Sequence, residues 1–293
     1  MNKKAILIDG NSLMFRAYYG TINQVAFFEK NNIFPTNAIK TMMLIIFKIL
    51  ENNKYDYAVI AFDHKDKNFR KEEFTEYKGK RKSTPELLVK QIPIIQEIMP
   101  LFGLNTFCIS GIEADDVIGS ASTLLSNHNI FCEIYSSDND LLQLVNENVN
   151  VIQFKKGITE YITYTSENFE SMSEGLKPKQ IIDYKGLCGD SSDNIPGIKG
   201  IGHKTAIELL KQFNNLENII NNADFIKSKS VKEKIVSGKE MGIKCKKLAT
   251  ILTDYFTNSK IDEFETKKLD LPKINDVIKK YNFSGFNKYI KGE

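Results

Sequence analysis

Tryptophan is absent from this 293-residue chain, and only three histidines and four cysteines are present. The cysteines, Cys108, Cys132, Cys188 and Cys245, stand far apart and form no CxxC pair. That argues against a disulfide framework and a paired-cysteine zinc centre, and fits reduced thiols in a cytoplasmic protein. No run of eighteen apolar residues occurs, so no membrane-spanning helix is expected. The first apolar stretch, "AILI", is too short for the core of a secretory leader and ends at Asp9. Internal repeats and low-complexity tracts are missing as well. Neither sign of charge dominates: the formal net charge of +3 names no partner by itself. Lysine, asparagine and isoleucine are abundant, so an isolated lysine carries little information. The length suffices for one large domain or two smaller ones.

What is present is acid at the ends of short apolar runs. "AILI" is followed by Asp9, "YAVIAF" by Asp63, and "IFCEIY" by "SSDND" with Asp138 and Asp140. Such runs read as buried strands. Helical patterns over about 36–52, 84–102 and 114–126 lie between them, which implies an α/β fold with a mostly parallel sheet flanked by helices. In that layout the functional crevice lies outside the carboxyl ends of the strands. One aspartate after a strand can simply cap the next helix. Three at the same edge point to function. Glu113, Asp115 and Asp116 in "GIEADD" open a further helix, where acid suits the helix dipole. Like charges beside an already acidic edge repel, however, and the cluster needs cations.

Beyond residue 150 the strand pattern fades, and 158–175 reads as polar and irregular. We expect an α/β core over 1–170 and a helical region over 171–293. The stretch "GDSSDNIPGIKGIGHKTA" adds Asp190 and Asp193 to the acids. Oxygen-only donors select hard cations, Mg²⁺ or Mn²⁺, and two such ions form a clamp for in-line displacement at phosphorus. No EF-hand spacing is present to support calcium storage. Gly197, Gly200 and Gly202 have the spacing of a helix-hairpin-helix at about 189–212. Glycines there let backbone N–H groups approach a phosphate at a helix N-terminus, with Lys199, His203 and Lys204 at hand. Such contacts position DNA without reading its sequence. Between Lys65 and Lys82 lie eight basic and four acidic residues, interleaved with Phe69, Phe74 and Tyr77. Cations with aromatic rings suit a single strand. A solvated lysine-rich helix is the plainer alternative.

The motifs "LIDGNSLMFRAYY", "AFD", "FRKEEFTEYKGKR", "GIEADDVIG", "SSDNDLLQLV" and "GDSSDNIPGIKGIGHKTA" together resemble the bacterial 5′-nuclease family. That family includes the 5′→3′ exonuclease domain of DNA polymerase I and free-standing relatives, and is more distantly related to flap endonucleases. The resemblance runs through "LATILTD" and "KKYNFSGF" to the chain's end, so a free-standing nuclease without a polymerase domain is expected. It implies a PIN-like core, a helical arch at about 65–95 and a DNA-gripping hairpin (H3TH) with a K⁺ ion. It further implies one metal site at Asp9, Asp63, Glu113 and Asp115, with Asp116 adjacent, and a second at Asp138, Asp140, Asp190 and Asp193. Lys78 resembles the family's catalytic lysine and Arg81 its phosphate clamp, while Tyr77 would stack on a base. Arg16 and Arg70 match basic family positions. Asn139 departs from the pattern, where many relatives carry lysine, but no acidic ligand is lost, so full nuclease activity is expected. The implied substrates are DNA with a 5′ flap, a nick or a single-stranded 5′ end, including RNA primer hybrids. A monomer is expected, and functional coupling to a separate DNA polymerase is the remaining partner expectation. A non-catalytic DNA-binding protein would have no use for the acids, and a metal-dependent ribonuclease is the other rival.

Overall fold

The computed structural model describes residues 3–51, 53–157 and 160–290. Its centre is one six-stranded sheet formed by β1 (Lys4–Asp9), β2 (Tyr57–Asp63), β3 (Asn105–Ile109), β4 (Phe131–Tyr135), β5 (Val149–Lys156) and β6 (Glu160–Tyr164). The spatial order is β3-β2-β1-β4-β5-β6. All neighbours pair in parallel except β5 and β6. The apolar residues of β1 and β2 are buried on both faces, as central parallel strands require. Alternate residues serve opposite faces. Ile6 and Ile8 enter one core cluster, Ala5 and Leu7 the other.

The helices that matter for function are α1 (Gly10–Gly20), α2 (Asn37–Glu51), α3 (Phe69–Glu73), α4 (Ala114–Asn127), α5 (Gln180–Cys188), α6 (His203–Phe213), α7 (Lys229–Ala249) and α8 (Leu271–Lys280). The first face is covered by α1, α2 and α8 through Leu13, Met42, Ile46 and Ile274. The second is covered by α4 through Val117, Ile118 and Ala121, together with Ile251, Phe256 and Phe264 from the chain after α7. A third core belongs to α5, α6 and α7, with Leu187, Ile198, Ile207, Leu210 and Ile235 at its centre. The last part of the chain therefore returns to the sheet. The region expected to be helical from 171 onward has its own core only up to α7.

Three further local departures have physical reasons. The strands β3, β5 and β6 lie where the sequence shows no long apolar run, and β6, on the sheet's edge, carries exposed and half-buried residues. The expected 84–102 helix is broken into Glu86–Val89 and Ile92–Ile98, with a 3₁₀ turn after it. Buried Gln91 sits at the break, where its Oε1 accepts from the N–H groups of Ala38 and Ile39 at the start of α2. The basic 65–95 stretch is not one helix: α3 stops at Glu73, and turns follow to Pro85. Lys78, at φ 54°, stands in the left-handed region and is followed by Gly79, so no α-helix passes through it. Among the described residues no helix is long and apolar enough to cross a membrane.

In the loop leading to the hairpin, Gly197 is buried at φ 67° and packs against Gly189. A Cβ there would lie 2.2 Å from the Gly189 nitrogen. Its lack of a side chain thus serves the chain's own close approach. Gly202, by contrast, faces open space. Gly197→Ala should therefore destabilise the protein by more than about 2 kcal/mol in urea unfolding, while Gly202→Ala should leave the midpoint nearly unchanged. Equal midpoints for the two variants would contradict this packing.

Candidate active site

Because β1 lies between β2 and β4, the chain's winding direction reverses there, and a crevice opens at the carboxyl ends. A cleft of about 710 Å³ occupies it, lined by Asp9, Asp63, Asp115 and Asp138, with Lys78 and Arg81 on its rim. Asp9 caps α1, accepting at Oδ1 from Ser12 N (2.8 Å) and at Oδ2 from Ser136 Oγ (2.6 Å). Burial, opposed by these two hydrogen bonds and aided by Asp138 and Asp63, pushes the Asp9 carboxyl up to about 6. Asp63 Oδ1 accepts from Ala114 N at 2.8 Å, tying the end of β2 to the start of α4. Burial and then the charges of Asp138 and Asp9 hold Asp115 well above the usual carboxylate range. Burial likewise raises Asp138, against the opposing pull of Lys185.

A second cleft of about 700 Å³ adjoins the first and is lined by Asp138, Asp140 and Asp190. Lys185, from α5, buries its ammonium between Asp140 and Asp190 and pairs with both. Burial would raise Asp190, but Lys185 and Ser192 outweigh it and leave that carboxyl at about 2. Nothing in the sequence marks Lys185, one lysine in a lysine-rich chain whose place is set by the packing of α5 against Asp140.

The remaining expected acids are held by neighbouring side chains. Glu113 pairs with Lys78 Nζ at 3.0 Å and accepts from Asn68, Arg70 and Tyr77. Asp193 accepts from the Tyr77 hydroxyl (3.0 Å) and pairs with Arg81. Lys78 and Arg81 thus reach the acids from a turn, not from a shared helix face. Burial opposes the Lys78 ammonium, and Glu113, Asp193, Asp63 and Asp115 together outweigh it, so its pKa stands above the ordinary lysine value. Three expectations change here. Asp116 points away from both clefts, 1% exposed, and takes a bidentate pair from Arg70 at 2.7 Å. Arg70 is itself 2% exposed and also donates to the Leu248 and Thr250 carbonyls, so it is a structural strut and not a surface DNA contact. Tyr77 is 3% exposed and packs with Ile195, Cys245 and Leu248, which leaves its ring no face for a base.

Arg16 lines the first cleft, but its guanidinium donates to the Phe154 and Gly157 carbonyls and fastens α1 to the end of β5. Asn139 accepts from Gln153 Nε2 at 3.1 Å on an exposed surface. At the hairpin Lys199, Gly200, Gly202, His203 and Lys204 are exposed, whereas Gly197 is not. Gly202 provides no side-chain cap for α6, and no acid stands in that helix's first turn, so its N–H groups remain suited to an anion. His203 bridges Tyr184 and Glu174.

The donor set suits hard divalent cations. The acids that line the two clefts are all carboxylates, with no cysteine among the lining residues, and the raised Asp9, Asp115 and Asp138 are held in mutual repulsion that a cation would relieve. Among the described residues no three acids already converge into a complete cage. Mg²⁺ does not need one, since it keeps several waters and takes one or two carboxylates directly. The Arg70–Asp116 pair generates a separate expectation. Arg70→Met should cost about 3–5 kcal/mol, because it strands a buried carboxylate, and Arg70→Met with Asp116→Leu should recover most of the loss in chemical unfolding. A wild-type midpoint for Arg70→Met would return this arginine to the surface role.

Comparison with known proteins follows the same division of the chain. Residues 4–174 match the family described as "5'-3' exonuclease, N-terminal resolvase-like domain", and residues 176–272 match "5'-3' exonuclease, C-terminal SAM fold". A 5′-3′ exonuclease of Mycoplasma pneumoniae is 43% identical over 95% of this chain and 96% of its own length. DNA polymerase I of Bacillus subtilis is 36% identical over 96% of this chain but only 32% of that protein. Among solved structures, the bacteriophage T5 5′-exonuclease with bound zinc superimposes with a TM-score of 0.70 at 20% identity, covering 86% of this chain and 91% of that one. A T5 flap endonuclease complex with DNA and metal ions gives 0.71 at 20% identity, over 89% and 96%. Two domain matches that together span the sheet and the hairpin, and a relative of nearly equal length, show that the chain belongs to the 5′-3′ exonuclease family.

Proposed function

We propose that this chain is a structure-specific nuclease that removes nucleotides from DNA 5′ ends and cuts 5′ flaps, including RNA primer hybrids, with two Mg²⁺ or Mn²⁺ ions. The single observation carrying this reading is the pair of adjoining aspartate-lined clefts that share Asp138 at the sheet's carboxyl edge. Asp9, Asp63, Asp115 and Asp138 would hold one ion or its waters, and Asp138, Asp140 and Asp190 the other. Bound there, the ions supply an activated water and charge neutralisation at phosphorus. Glu113 and Asp193 hold Lys78 and Arg81 in place at the cleft rim. The Lys78 ammonium is aimed at charge that grows on the scissile phosphate. Arg81, more exposed and forked, positions the strand. Residues 1–170 form the nuclease core in this reading, completed at the second cleft by Asp190, and the hairpin at 189–212 grips the duplex by its backbone phosphates. The protein would act as a cytoplasmic monomer in primer removal and repair, alongside a separate polymerase. The family match, the DNA polymerase I relatives and the DNA-bound T5 flap endonuclease support the substrate class.

The test uses 5′-flap, nicked and single-stranded DNA with mapped products. After EDTA treatment, added Mg²⁺ or Mn²⁺ should restore cutting of the flap, and Asp63→Ala should abolish it while DNA binding persists. Flap binding without cutting under any divalent ion would leave only a DNA-binding protein, and cutting confined to RNA would favour a ribonuclease. Within the same reading, Lys78→Ala should slow single-turnover cleavage by about 10²-fold with little change in binding. Arg81→Ala should weaken both. A Lys78→Ala rate within about twofold of wild type would remove this lysine from the chemistry.

A further inference from the structure

We propose that Lys234, outside every motif of the hairpin, is the cation through which the hairpin's Gly200 carbonyl meets a DNA phosphate. The inference rests on the reading that the hairpin grips duplex DNA. The hairpin turn presents a carbonyl oxygen at an exposed position, and a bare carbonyl dipole would repel an approaching phosphate. Lys234 Nζ donates to that Gly200 carbonyl at 3.3 Å. An ammonium has three donors, so two remain for an oxygen anion on the outer side.

The placement of Lys234 is built into the packing. Residues 234, 238 and 242 are spaced four apart and share one face of α7. Gly238 and Gly242 on that face admit Ile198 of the hairpin, since a Cβ at either would lie within 2.5 Å or 2.9 Å of its side chain. One turn earlier, the same face delivers Lys234 to Gly200. A Cβ on Gly200 would lie 3.0 Å from Lys234 Cε and 3.2 Å from Nζ. Gly200 at φ 83° therefore supplies both the turn and the room for this side chain. The missing side chain makes way for a cation as well as for a phosphate. Lys199 and Lys204 are exposed on the same hairpin and can contribute charge, but among the described residues neither is held against a backbone carbonyl of the turn. Lys234 is thus a positioning residue for the duplex and not a catalytic one. With an ammonium already on this carbonyl, a bound K⁺ ion is not required there.

Fluorescence anisotropy with nicked duplex and with a single-stranded oligonucleotide, over about 50–200 mM NaCl or KCl, tests the assignment. Lys234→Met keeps the aliphatic stem over Gly200 and removes the charge. It should weaken nicked-duplex binding about three- to tenfold and reduce the salt slope by about 0.9, with single-strand binding and the thermal midpoint unchanged. In flap cleavage KM should rise while kcat at saturation stays at the wild-type value, and Lys234→Arg should restore the slope. Wild-type binding should be equal in NaCl and KCl at matched ionic strength. A wild-type slope and affinity for Lys234→Met, or a clear gain of wild-type binding in KCl over NaCl, overturns the assignment while leaving the hairpin as the DNA grip. If the wild type does not prefer nicked duplex to single strands, the hairpin reading itself fails and this inference with it.

Discussion

Carboxylates gathered at one edge of a sheet repel one another and resist burial, and much of this molecule is arranged to hold them there. Asp9, Asp115 and Asp138 all stand above the ordinary carboxylate pKa, with burial as the leading cause. Positive side chains come from two separate parts of the chain to offset this. Lys78 and Arg81 arrive from the turn after α3, and Lys185 from α5. None of them removes the need for further cations in the first cleft, where Asp9 and Asp63 lie and no ion pair reaches either of them among the described residues. That balance suits a site that must attract divalent ions and then release a negatively charged product.

The division of labour among the acids follows from where each backbone segment ends. Strand-end residues Asp9 and Asp63 project into the crevice because parallel strands share a carboxyl edge. In the first turn of α4, successive residues point about 100° apart, so Asp115 and Asp116 cannot serve the same cleft. Asp115 lines it, while Asp116 turns inward and locks Arg70 against the chain after α7. That pair joins the core to the strap that returns to the sheet.

Much of this was legible in the sequence, because strand-end aspartates and hairpin glycines are local signals. "AILID" and "YAVIAFD" carry their position in their own pattern, and so does "PGIKGIG" with α6 after it. What escaped depends on distant packing. The turn conformation at Lys78 is fixed by contacts with residues 192–194, and a lysine-rich stretch looks the same in a helix. The burial of Arg70 and Tyr77 requires α7 and its following loop, more than a hundred residues away. Lys185 and Lys234 were invisible for the same reason: in a chain this rich in lysine, only tertiary neighbours distinguish one from another. The edge strand β6 escaped because one exposed flank removes the apolar pattern.

Besides the Tyr77 and Arg81 contacts with the Asp193 carboxylate, the segment carrying Lys78 is fastened to the loop before the hairpin through backbone carbonyls. Lys78 N donates to the Asp193 carbonyl at 2.8 Å, Asn194 Nδ2 donates to the Glu76 carbonyl at 2.8 Å, and Arg81 Nε donates to the Ser192 carbonyl at 3.3 Å. Residues 192–194 in turn are pinned beside the buried Gly189–Gly197 crossing. The turn and the loop are therefore bound into one unit. In the proposed reading, the segment that leads into the DNA grip is thus also the one that fixes where the Lys78 ammonium can reach.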